Sequence, residues 1–137
     1  MIDPDNVPDV EDSEWLARYV LQSSHYRKSD RTVKPDLFIP HPYQDLSVTR
    51  HRDATETELW RVGQNVADTI GKNLHGRADI QAKDCQEGSL QVVKKPLASN
   101  SNHADIEGWP SDKKDQKALA LKLAAAASQL IPPTQTC

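Results

Sequence analysis

Two short stretches hold the residue types best suited to chemistry. Arg77-Ala78-Asp79-Ile80 and His103-Ala104-Asp105-Ile106 each read base, alanine, acid, isoleucine. Side chains alternate between the two faces of a β-strand. As strands, the first copy sets Arg77 and Asp79 against Ala78 and Ile80. The second sets His103 and Asp105 against Ala104 and Ile106. In one sheet, the two copies place an arginine, a histidine and two carboxylates on a common face, with His51 as a further candidate. A histidine beside a carboxylate has its tautomer fixed and its cation favoured. An arginine offers a planar fork for phosphate or carboxylate. Three readings follow. The face binds an anionic ligand through Arg50, Arg77, Asp79 and Asp105. Alternatively, its members pair across the sheet, at about 0.2–1 kcal/mol per pair. As a third reading, His51 and His103 serve as base and acid in a metal-independent attack on a phosphodiester, with Arg77 and Arg50 as phosphate clamp and Asp105 orienting His103.

Arg50-His51-Arg52 ends a strand just before a helix, where bases and a helix N-terminus together suit an anion. Asp53, Glu56 and Glu58 follow at once and would repel one, so a solvated strand end is the plainer alternative. Trp109, followed by Pro110, either stacks on a ligand or lids the core. His41, His51, His75, His103 and Asp105 are metal-donor types. None has HExxH spacing and no cysteine pair supports zinc, so no metal site is expected. Walker, dinucleotide, nucleophile-elbow and kinase signatures are missing, which removes the commonest nucleotide-dependent enzymes. No cofactor is implied. Cys85 has no motif around it and reads as structural.

The elements that must position these residues follow from periodicity. Asp12 or Ser13 caps a first helix carrying Trp15, Leu16, Tyr19 and Val20, fading near Arg27. Pro35, Pro40 and Pro42 keep the next stretch irregular. Residues 46–51 read as a strand, with Leu46, Val48 and Arg50 opposite Ser47, Thr49 and His51. Thr55 and Glu58 form a capping box for a second helix whose stripe is Leu59, Trp60, Val62, Val66, Ala67 and Ile70, closed by Gly71. Strands are expected at 77–81, 90–94 and 103–107, with a helical turn at 82–87. The last helix runs from Ser111 or Asp112 to Leu130, with Leu119, Leu123, Ala126, Ala127 and Leu130 on one side, before Pro132 and Pro133. This order predicts an α+β domain of three to four strands with helices packed mainly on one face.

The chain has 137 residues, which suits one domain. Its 36% apolar content predicts a modest core. No apolar run approaches the ~20 residues that span a bilayer, so no membrane association is expected. The Met1–Asp5 stretch lacks a signal pattern, and the two cysteines, Cys85 and Cys137, make no framework. A reducing cytoplasmic setting fits. Residues 1–14 hold six acids and no Lys or Arg, leaving 14 of the 20 acids against all 17 Lys and Arg. They read as an acidic arm ahead of a domain at 15–131, with a tail at 132–137. The arm is either solvated or covers a basic surface, its own or a partner's. Residues 18–34, with five bases and one acid, follow directly.

Two functions are consistent with these features. The first is a non-catalytic interaction module, an accessory component of a larger assembly with a protein partner. The second is the metal-independent enzyme acting on phosphodiesters or nucleotides. Nucleic acid or nucleotide binding overlaps both, but the overall charge argues against nonspecific duplex binding.

Overall fold

Trp15–Val20 is a strand, β1, and not the helix its spacing predicts. Five of its six residues are apolar, and the segment is buried on both sides. A strand covered on both faces reads as a continuous apolar run and so mimics a helical stripe. The computed structural model describes residues 1–40 and 45–134; His41, Pro42 and Cys137 fall outside that range.

The other elements are β2 (Leu46–Arg50), α1 (Glu56–Ile70), β3 (Gly76–Gln81), α2 (Ala82–Glu87), β4 (Gln91–Lys94), β5 (His103–Glu107) and α3 (Lys113–Ala126). The five strands form one antiparallel sheet in the order β3-β1-β2-β5-β4. The fold is a small single-domain α+β architecture. β1, read from sequence as helix, raises the strand count above three to four.

Leu16, Val20, Leu46, Val48, Ala78, Ile80, Ala104 and Ile106 share one sheet face. They form the main core with Leu37, Phe38, α2 residues Ala82 and Cys85, and α3 residues Ala120 and Leu123. α1 packs on the opposite face, where Val62 joins Ala17 and Tyr19. Gly63 allows this approach, because a Cβ there would stand 2.6 Å from the Tyr19 ring. The Thr55–Glu58 capping box starts α1, and Gly71, at φ 69°, ends it.

Capped by Asp112, α3 stops at Ala126, short of the expected Leu130. The chain then seals the outer edge of β3. Arg77 and Ile131 exchange backbone hydrogen bonds, and Ser128 N–H donates to the Asp79 carbonyl at 2.8 Å. Gly76 is required here, since a Cβ would collide with the Ile131 carbonyl.

Residues 1–14 lie against the domain. Ile2 is buried, and its N–H donates to Asn102 Oδ1 at 2.8 Å. Arg50 is fully buried and donates twice to Glu14 at 2.7 Å, as well as to the Pro8 and Asp9 carbonyls. Lys94 Nζ reaches the Val7 carbonyl at 2.8 Å. The acidic arm thus covers a basic residue of its own chain.

Candidate functional site

Strand register carries both copies of the near-repeat onto the face beneath α1. Asp79 is opposite Ala17, Ala17 opposite Thr49, and Thr49 opposite His103. β1 and β2 separate the two copies, so they stand roughly 14 Å apart at ordinary strand spacing.

The β3 copy is closed on itself. Arg77 makes a two-pronged contact with Glu56 at 2.8 and 2.9 Å, and Nε donates to Asp79 at 3.0 Å. Its guanidinium lies 4.8 Å from the centre of the Trp60 ring. His51 Nε2 meets Asp79 Oδ1 at 2.8 Å. The small Ala17 side chain lets His51 cross β1 to reach it. Burial opposes ionisation of Asp79, but the His51 and Arg77 contacts outweigh it and hold the carboxyl below its usual range. At Glu56 the Arg77 hydrogen bonds prevail over burial, with the same result.

The β5 copy has different neighbours. His103 Nδ1 lies 2.8 Å from the Lys95 carbonyl, so Nδ1 carries the proton. Nε2 is 3.6 Å from Asp105. Burial pushes the Asp105 carboxyl up; His103 and Lys95 oppose this, and Asp45 and Glu107 add to it. Oxygens of Asp45, Asp105 and Glu107 gather within 4.8 Å. Such an oxygen set suits a hard cation, though acidic groups at this spacing are common without one.

His51 and His103 therefore engage different carboxylates on different strands. Arg50 is directed into the arm, where Glu14 absorbs its charge. Burial opposes the ionised form of Glu14, and its bonds to Arg50 and the Glu11 N–H reverse that and lower its pKa. Trp109 is buried and donates to the Ile106 carbonyl at 2.9 Å, in the manner of a core lid. Burial pushes the Cys85 thiol up to about 12, which leaves it a poor nucleophile.

A groove of about 780 Å³ opens on the same sheet face, between α1 and the β4–β5 loop. Tyr19, Ser47, Thr49 and His103 lie along the sheet side, Val66 and Ile70 on α1, and Leu97 on the loop. Val66 and Ile70 belong to the expected core stripe of α1 but are 39% and 52% exposed, and Leu97 is 49% exposed. α1 buries Leu59, Trp60, Val62, Gly63 and Ala67, leaving these two residues above the groove. Arg18, His25 and Lys72 also line it. Sequence reasoning singled out His103 but missed the rest of this site, for which the base-rich run beginning at Arg18 was a further signal. No protein-family model, curated protein or solved structure shows significant similarity to this chain.

Proposed function

We propose that this protein is a cytosolic, non-catalytic interaction module of a larger assembly, and that it receives an acidic, apolar protein segment in the groove beside α1. One observation carries the reading. Among the described residues, five large hydrophobics are exposed, namely Trp15, Val66, Ile70, Leu97 and Leu121, and three of them line this one groove. Exposed apolar side chains gathered on facing walls mark binding surfaces more often than single ones do. Bases outnumber acids along the groove, which favours an acidic occupant. The phosphodiesterase reading has less support. Arg77 and Arg50 spend their donors on internal acceptors, and the two histidines share no common acceptor. The buried free thiol of Cys85 suits a reducing compartment.

Paired affinity captures from source-cell extract test the proposal. The wild-type chain is compared with an Ile70→Glu/Leu97→Glu variant and with Leu121→Glu, which alters an exposed leucine elsewhere. A protein retained by wild type and Leu121→Glu but lost from the groove variant supports docking. Equal retention by all three chains, or no retained protein, overturns it.

A further inference from the structure

One part of the groove lining collects bases. The β1–β2 ladder comprises only Leu16↔Arg50 and Ala17↔Thr49. The Ser47 carbonyl, turned toward β1, lies beyond that ladder. Arg18 Nη1 donates to it at 3.0 Å, while Nε donates to the Leu37 carbonyl at 3.0 Å. Two backbone oxygens thus fix the guanidinium, and Nη2 bonds to no described residue. Burial pushes the Arg18 pKa down to about 10.

His25 and Lys72 line the groove with Arg18. Burial holds the His25 imidazolium below its ordinary range, assisted by the charges of Arg18, Lys72 and Lys34 and opposed by Asp36. Among the described residues, no carboxylate lies within 4.0 Å of Arg18, His25 or Lys72. Asp68, the acid among the described lining residues, accepts from Gln64 at 2.8 Å. A partly desolvated guanidinium beside like charges is costly unless an anion joins it. A fixed guanidinium with an unused edge is also pre-organised to hold one.

We propose that Arg18, with Lys72 and His25, forms an oxyanion site that receives a phosphate or carboxylate group in the groove. This deepens the docking reading and rests on the same groove, but small anions test it without any partner. The isotope-labelled full chain is titrated at constant ionic strength with inorganic phosphate and, separately, with acetate. Side-chain resonances of Arg18 and His25 are followed by NMR.

Saturable shifts with phosphate alone support the site and identify a phosphoryl source. Saturation with acetate alone supports it and identifies a carboxylate source, and saturation with both supports a site for either oxyanion. Arg18→Gln risks the fold, because Leu37 and Ser47 would lose their donor. Lys72 is exposed, so Lys72→Gln is the safer variant; it should weaken the anion by about threefold, the worth of one exposed charge. Linear drift with both anions, or saturation unchanged in Lys72→Gln, overturns the proposal. Saturation by small anions combined with failed partner capture would leave the oxyanion site standing and remove only the docking reading.

Discussion

Strands β3 and β5 carry the same four-residue pattern on the same sheet face, yet their acids meet opposite fates. Asp79 has Arg77 and His51 against it and is held in its charged form. Asp105 has Asp45 and Glu107 nearby and a histidine no closer than 3.6 Å, and its charged form is disfavoured. The pattern decides which face a side chain takes. What lies over that face decides its chemistry. α1 lowers Glu56 and Trp60 onto Arg77, completing a network that leaves that guanidinium little to offer a ligand. Away from α1's buried half, the sheet face stays open and becomes the groove.

Substitution at the base position of each copy should break this comparison most sharply. Arg77→Met takes one of the two partners of Asp79, leaving it to His51, and leaves Glu56 without its guanidinium. Removing one member of a buried pair typically costs about 3–5 kcal/mol. Glu56 is 58% exposed, so water compensates part of the loss, and about 2–3 kcal/mol is expected. His103→Gln keeps a donor for the Lys95 carbonyl and should cost about 0.5–1 kcal/mol. Urea midpoints at pH 7 measure both, provided the denaturant slope is unchanged. Equal losses would mean that the two copies are equally structural.

Acid titration sharpens the comparison. Asp79 and Glu56 both ionise below their ordinary values of 3.8 and 4.5. The native state therefore binds fewer protons than the unfolded chain in that range. Their stabilisation is complete above pH about 4–5 and is lost as pH falls through their folded values. Asp79→Asn should cost about 1–2 kcal/mol at neutral pH, because a charge-assisted bond becomes a neutral one. Its deficit against wild type should shrink toward pH 2, as followed by thermal melts. Parallel curves for the two chains would show that Asp79 draws nothing from its charge.

Much of this architecture is legible in the sequence where signals are local. The Thr55–Glu58 box and Gly71 bound α1, and alternation assigns the faces of β2, β3 and β5. Non-local features are hidden. β1 is sandwiched between covered faces, so its two apolar sides merge into what reads as a helical stripe. Strand order depends on pairing between distant segments, and nothing in either copy announces that β1 and β2 come between them. α3 ends early because β3 offers an edge that Ser128 and Ile131 can pair with. The groove is the least legible feature. Val66 and Ile70 fit a core stripe by spacing, and only the β4–β5 loop, by presenting Leu97 opposite them, shows that the stripe is wider than the core beneath it.

The smallest expected effect has the opposite sign. The folded pKa of Asp105 is raised, so between the unfolded value near 3.8 and that higher value the native state holds more protons than the unfolded chain. Stability falls as pH rises through this window, and at neutral pH the ionised carboxylate opposes folding. Asp105→Asn keeps the shape and removes the charge beside Asp45 and Glu107. It should therefore stabilise the protein at pH 7 by up to about 0.5 kcal/mol, where Asp79→Asn destabilises it. The gain should vanish below pH 3.8, where wild-type Asp105 is itself neutral in both states. Urea midpoints at pH 7 and pH 3 in chelator-treated buffer measure the difference. A loss at pH 7 would show that the Asp105 charge is held by a partner after all, and the two strands would then differ in degree and not in sign.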